Sequence, residues 1–335
     1  MKCINTPGLR RKSGKWGTRR LLPVQGQADD NFRAGRVGCF VMTRREALKG
    51  LAGMLARAAR ALPANRNVKW ALGSNLWNSF PGSQFTDILD VMHDTGFVGL
   101  RLTQYPQILA KYQISPEQME RELSKRGLHV ITISFNGAAD DPAQHGEILS
   151  NARKAMAFLK RFGADRLVVF SPSRGKSADA FVTMCRFYNQ LGEVAGEMGF
   201  KAGLHNHLGQ MVQTPEEIDR CMALTDPKLF YFSPDTAHVY LGGGDPAATL
   251  EKYKDRLMMA DYKDAKRAGL TAKYITNTYD LGDGEIDFPA CHRVLRSIRF
   301  KGWLCVDLDI ARNGPLASYD RCGAYVVRTL EPIYS

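Results

Sequence analysis

From Asn67 onward, short apolar runs alternate with segments whose apolar residues recur every three or four positions. The runs are 68–74 (VKWALGS), 97–103 (FVGLRLT), 128–135 (LHVITISF), 165–171 (DRLVVFS), 200–206 (FKAGLHN), 228–234 (KLFYFSP), 256–262 (RLMMADY) and 302–308 (GWLCVDL). Continuous runs rich in Val, Ile, Phe and Leu mark strands buried on both faces, as in a parallel sheet. Two of the intervening helices have clear start signals. Ser115-Pro116 with Gln118, and Thr214-Pro215 with Glu217, are capping-box arrangements with Pro at the first helical position, and Asp245-Pro246 opens a third helix. Eight strand–helix repeats over about 270 residues have the size and rhythm of an α/β fold of the (β/α)8 TIM-barrel type, one domain over 66–335. A doubly wound open sheet competes, but no GxGxxG follows the first strand. The stretch 264–285 reads as a long loop after the seventh strand, and long ordered loops usually serve function.

Residues 1–65 break this pattern. They hold 14 Lys/Arg against 3 Asp/Glu, whereas the remaining 270 residues hold 32 against 31. The formal charge of +12 therefore belongs to a basic leader and not to the folded body. A nucleic-acid partner would need a basic face on the body, and the balance gives no support for one. Residues 1–41 read as a disordered extension or as a start placed too far upstream. In 42–65, Arg44-Arg45 after Thr43 resembles a twin-arginine export signal, with small residues near Ala61 and Ala64 as a cleavage region. Arg57 and Arg60 interrupt its apolar stretch, so a basic amphipathic helix without targeting value is the other reading. A working signal implies the export machinery as a partner and a periplasmic or exported location; otherwise the protein is cytoplasmic. No apolar run is long enough for a membrane span. The 7 cysteines are scattered without a CxxC, as expected of free thiols.

In a (β/α)8 barrel the chemistry sits at the C-terminal strand ends. Polar residues at those ends are Asn75, Arg101, Thr103, Asn136, Ser171, Arg174, His205, His207, Asp235, His238, Asp261, Lys263, Asp307 and Asp309. Three are same-face pairs two apart, because successive strand side chains alternate faces: His205/His207 in GLHNHLGQ, Asp261/Lys263 in ADYKD, and Asp307/Asp309 in VDLD. So many ionisable groups in one mouth need partners. Two arrangements serve. A divalent cation relieves repulsion among Asp235, Asp261 and Asp307 with an imidazole completing an N/O set, or a salt-bridged ring forms with Arg101, Lys263 and Arg174. SRGKS at 173–177 lacks P-loop spacing, which leaves Arg174 to meet a substrate oxygen. Trp70 and Trp77 pack in the barrel or wall the pocket.

GLHNHLGQMVQTPEEIDRCM, DTAHVYLGGGDP, YKDA, GDGEIDF and GWLCVDLD resemble, in this order, the xylose-isomerase-like TIM-barrel superfamily over about 68–330. That group includes sugar phosphate isomerases/epimerases and inosose dehydratases. The resemblance implies one divalent metal (Mn, Co, Zn or Mg) held by Glu, Asp, His and Glu on strands five to eight. Carried over, these positions are His205, Asp235, Asp261 and Asp307, so three of the four depart in type. The HNH segment is similar to the HPH of inosose dehydratases, which implies His205 toward the metal and His207 available for proton transfer. Lys263 beside a metal, with a depressed pKa, is expected as a base or as the group that holds the enediolate, and Asp307 completes the expected catalytic set. Arg101, Asn136, Arg174, His238 and Asp309 are the expected contacts to a small sugar or cyclitol.

The implied chemistry is proton abstraction alpha to a carbonyl through an enediolate. A carbohydrate isomerase or epimerase is the first expectation. A lyase that dehydrates a keto-sugar or keto-cyclitol is the second, and a non-catalytic sugar-binding barrel the third. A DNA-repair endonuclease of this fold needs more His and Glu ligands than the chain offers. A homo-oligomer is compatible with all of these. With His207 as base, activity is expected to rise with pH from acid to neutral.

Overall fold

The computed structural model describes Leu62 and residues 67–334 apart from 104, 175–176 and 268–273. The expected extension over 1–41 and the export-signal segment over 42–65 lie outside the described residues, except for Leu62. That side chain is buried in the core beside Gly323, so it packs with the body.

Eight parallel strands form the barrel: β1 Val68–Gly73, β2 Gly99–Thr103, β3 His129–Phe135, β4 Arg166–Phe170, β5 Lys201–His205, β6 Phe230–Phe232, β7 Ala260–Tyr262 and β8 Gly302–Val306. Their hydrogen-bonded order is 6-5-4-3-2-1-8-7. Between β6 and β7 the ring is joined by isolated parallel bridges, Phe232 with Leu257 and Asp235 with Asp261. This is the expected (β/α)8 architecture, with helices following the strands.

β6 and β7 are the strands most shortened relative to their apolar runs, to three residues each. The seventh run begins at Arg256, but residues 254–256 form a 3-10 turn. The buried Arg256 guanidinium donates to the carbonyls of Met222 (2.6 Å) and Phe230 (3.1 Å), and those bonds replace strand pairing there. Both capping boxes form. Ser115 N donates to Gln118 Oε1 at 2.8 Å, and Thr214 N to Glu217 Oε2 at 3.0 Å. Asp245 accepts from Ala248 N at 3.0 Å.

The core has two parts. Ala71, Ile131, Val168, Met258, Met259 and Cys305 pack together as a plug inside the barrel. The larger cluster lies between strands and helices and includes Trp70 and Trp77. Trp70 donates to Glu331 Oε1 at 2.8 Å, and Trp77 stacks on Tyr319. Neither indole lines the mouth cavity. Cys185, Cys221, Cys291, Cys305 and Cys322 are buried free thiols. Among the described residues no helix is long and apolar enough to cross a membrane.

The stretch after β7 is organised. Asp264–Ala265 pairs antiparallel with Thr278–Tyr279. The buried Asp264 carboxylate accepts from the backbone N–H groups of Gly282, Gly284 and Ala265 at 2.9 Å and of Ile286 at 3.2 Å. Gly282 has φ +88°, and a Cβ at Gly284 would sit 2.1 Å from Asp264 Oδ1, so GDG is the sequence that lets the chain wrap this carboxylate.

Candidate active site

The period of two carries each strand from the apolar plug up to a polar layer. On β8 the sequence is Cys305, Asp307, Asp309; across β7 it is Met259, Asp261, Lys263; and β5 leads from Gly203 to His205 and His207. On β1, Ala71 is followed by Gly73. A Cβ at Gly73 would lie 2.2 Å from Asp307 Oδ1, so glycine there makes room for that carboxylate.

Two cations hold the layer together. The Arg101 guanidinium reaches Asp261 Oδ2 at 2.7 Å and Asp307 Oδ1 at 2.6 Å. The Lys263 ammonium reaches Asp307 Oδ2 at 2.8 Å, Asp309 Oδ2 at 2.9 Å and Asp235 Oδ2 at 3.2 Å. All but Asp309 are nearly fully buried. The salt-bridged ring is thus present, built on Arg101 and Lys263 without Arg174.

Arg174 lies elsewhere. Its side chain is 40% exposed and makes a bidentate pair with Glu217, at 2.7 and 2.8 Å, beside the capping box of the next helix. It lines a separate cleft with Phe181 and Arg220 and is not brought to the mouth. Of the SRGKS segment, residues 175–176 lie outside the described residues.

Lys263 differs in character from the expectation. Burial lowers the pKa of an ammonium, but Asp235, Asp307 and Asp309 outweigh it and hold Lys263 well above the ordinary lysine range. It is a fixed cation, not a base. Asp307 is pulled the other way: burial raises it, and Arg101 and Lys263 hold it well below the usual carboxylate range. Asp235 is pushed up to about 6, by burial first and despite Lys263. Asp261 is also raised, by burial and by its neighbour Asp307, against the pull of Arg101.

The histidines form a second group. Phe170, paired in register with His205, packs on its ring at 4.2 Å between centroids. His207 Nδ1 lies 2.6 Å from the Leu208 carbonyl, and its ring sits 3.8 Å from that of His238. Burial lowers both His205 and His207 to about 3, so both imidazoles are neutral at physiological pH. The direction is the lowering expected of His207, and it moves any activity limb that this imidazole carries to the acid side of pH 6.5. Between them, Asn206 accepts from Asp235 N at 3.0 Å and ties the HNH segment to the end of β6.

Asp235 caps the short helix Thr236–Leu241, accepting from His238 N at 3.1 Å. One turn on, His238 folds back, so that ligand atoms of His205, Asp235 and His238 lie within 4.8 Å of one another. Two imidazoles and a carboxylate, all buried and with His205 lining the mouth cavity, fit a divalent cation with N/O preference, zinc among them. Of the four expected ligands, His205 and Asp235 join this cluster. Asp261 and Asp307 lie outside it and pair with Arg101 and Lys263, although Lys263 also reaches Asp235 and His205 Nδ1 lies 2.9 Å from Asp261 Oδ2; His238, expected as a substrate contact, joins the cluster. The Asp-x-x-His spacing across a helix start is the signal that points to it.

Arg101, His205, His207, Lys263, Asp307 and Asp309 line a cavity of about 170 Å3, to which Asn75, Asn136 and Phe170 also contribute. Phe170 was not among the sequence candidates, although it stands two residues beyond the plug residue Val168 on β4.

Residues 80–320 match the family model described as the xylose isomerase-like TIM barrel. The chain is 26% identical to inosose dehydratase of Lactiplantibacillus plantarum over 300 residues, 80% of this chain and 98% of that protein. It is 31% identical to inosose dehydratase of Bacillus velezensis over 221 residues, 58% of this chain and 73% of that protein. Among solved structures, the IolI protein with a bound zinc atom superposes with a TM-score of 0.67 at 15% identity, over 80% of this chain and 99% of that one.

Proposed function

The chain belongs to the xylose isomerase-like TIM barrel family, and from that premise we propose that it is a lyase that dehydrates a keto-cyclitol or keto-sugar. The observation that carries the reading is the similarity to an inosose dehydratase along 98% of that relative. The mouth supplies groups suited to the chemistry. In such a dehydration the C–H bond alpha to the carbonyl breaks, its electron pair forms the C=C bond, the beta C–O bond breaks, and the departing hydroxide takes up a proton, the equivalent of the one removed, to leave as water. His207, a neutral imidazole on the cavity wall, is suited to take the proton. The ammonium of Lys263 and the guanidinium of Arg101 face the cavity as fixed positive charge for an oxygen that gains negative charge. Asn75, Asn136 and Asp309 offer hydrogen bonds to ring hydroxyls.

A divalent ion held by His205, Asp235 and His238 would polarise the substrate carbonyl. The chain's own residues set where that carbonyl lies, because Lys263 closes the cavity on the β7 side and Phe170 on the β4 side.

Isomerisation or epimerisation, the first expectation from sequence, begins with the same proton abstraction and ends with the proton returned instead of water lost. Purified protein incubated with 2-keto-myo-inositol and with keto-hexoses, with Mn, Co, Zn or Mg added, separates the outcomes. New enone absorbance with loss of water supports the lyase. Isomer formation in the proton NMR spectrum without that absorbance replaces it with the isomerase. Sugar binding without either product leaves a non-catalytic barrel.

A further inference from the structure

The mouth cavity of about 170 Å3 is smaller than the roughly 300–1,000 Å3 of ordinary small-molecule sites. A second, larger cleft of about 610 Å3 adjoins it. Ser134 and Asn136, at the end of β3, line both, so the two spaces share a wall rather than lying on different faces. The linings differ in chemistry. Asp307 and Asp309 line the inner cavity. The outer cleft presents Gln107, Asn151, Lys154, Tyr105 and Phe135, with no carboxylate among its described residues. Tyr105 is backed by Phe158, with ring centroids 4.4 Å apart. Amides beside aromatic rings suit a neutral polyol, which offers hydroxyls at its rim and C–H groups on its face. A single exposed lysine is a poor anchor for a phosphate, which is usually held by several charge-assisted bonds.

We propose that the outer cleft is a subsite for a second sugar ring, so that the substrate is a two-ring glycoside. Its reacting ring enters the inner cavity, and its other ring lies between Tyr105 and Asn151. This rests on the proposed carbohydrate reading of the inner cavity and extends it outward.

Calorimetric titration with glucose, myo-inositol and a panel of α- and β-linked glucosyl disaccharides tests it. At least one disaccharide is expected to bind tenfold or more tightly than either single ring. Asn151 sits exposed on the helix His145–Lys160, so Asn151→Trp fills the cleft without touching the inner cavity, and Lys154→Trp fills it from the next turn. Both variants, checked by thermal melting, should lose the disaccharide preference and keep single-ring affinity. Equal affinity for one and two rings across the panel would overturn the proposal, as would a preference that survives both variants. Dehydration of 2-keto-myo-inositol at equal kcat/KM in wild type and both variants, with no disaccharide preference, would remove the subsite and leave the lyase. A disaccharide preference without any dehydration would do the reverse.

Discussion

Replacing Arg101 by methionine tests whether the polar layer stands on that one guanidinium. Arg101 is 2% exposed, and its two partners, Asp261 and Asp307, are 0% and 3% exposed at the side chain. Lys263 still holds Asp307 at 2.8 Å in the variant, so the stranded group is Asp261. Its remaining neighbours are His205 Nδ1 at 2.9 Å, an imidazole kept neutral by burial, and the uncharged Cys305 thiol. Removing one member of a buried ion pair costs about 3–5 kcal/mol, because the other charge stays in a medium that solvates it badly. With a urea m-value of about 3 kcal/mol/M for a domain of this size, the midpoint should fall by roughly 1–1.7 M. The deficit should depend on pH. Without the guanidinium, the Asp261 pKa rises further above its unfolded value, so the folded carboxyl takes up a proton that the unfolded one does not. Stability is then retained at low pH and lost as pH rises through the folded pKa. Urea unfolding of Arg101→Met followed by circular dichroism should show a smaller deficit at pH 5.5 than at pH 8. Arg101→Met/Asp261→Asn should recover more than half of the loss. A loss below about 1 kcal/mol at both pH values, or a deficit that grows on acidification, would refute the reasoning.

Three further outcomes follow from the site. His207→Asn should slow turnover by roughly 10²-fold or more with the fold and metal content retained; because burial holds His207 at about 3, a wild-type activity limb near pH 6.5 that vanishes in this variant would contradict the buried geometry. His238→Ala should lower the divalent metal measured by mass spectrometry after dialysis, and Asp261→Asn should not; the opposite pattern would restore a ligand set drawn from all four later strands. His205 and His207 have folded pKa values depressed from 6.5 to about 3, so their stability contribution is full above pH 6.5 and is lost as pH falls toward 3. The raised carboxyls Asp235 and Asp261 gain stability over the same range and oppose this; the Tm of His207→Asn should therefore fall less between pH 7 and 5 than that of the wild type, and an equal fall in both would count against the depressed imidazole.

The barrel was legible because buried parallel strands must be apolar on both faces, and all eight runs show it. The ends of β6 and β7 were not, because Arg256 satisfies three carbonyls, two at the end of the helix Pro215–Leu224 and one on β6, and takes its own backbone out of the sheet. The residues of the mouth were readable from the period of two after each apolar run. Their pairing was not. Arg101 meets Asp261 and Asp307 only because closure of the ring brings β2 within reach of β7 and β8, and no spacing along the chain encodes that distance. The same closure sets Lys263 among three carboxylates, which favours the enediolate-holding cation over the base among its two expected roles. Arg174 stands four residues past β4, where His207 stands two past β5, and Glu217 draws it outward, a pairing that strand position does not reveal.

The Asp264 carboxylate has a consequence for how this chain can be altered. It gathers the backbone on both sides of the segment after β7, and the antiparallel pairs Asp264–Tyr279 and Ala265–Thr278 bring entry and exit side by side. Whatever runs between residues 266 and 277 therefore begins and ends at one anchored doorway. Lengthening such a closed segment costs only about 0.6 kcal/mol per doubling. A change of length or sequence between residues 266 and 277 is therefore expected to leave the register of the barrel in place, provided Asp264 and the two glycines of GDG are kept.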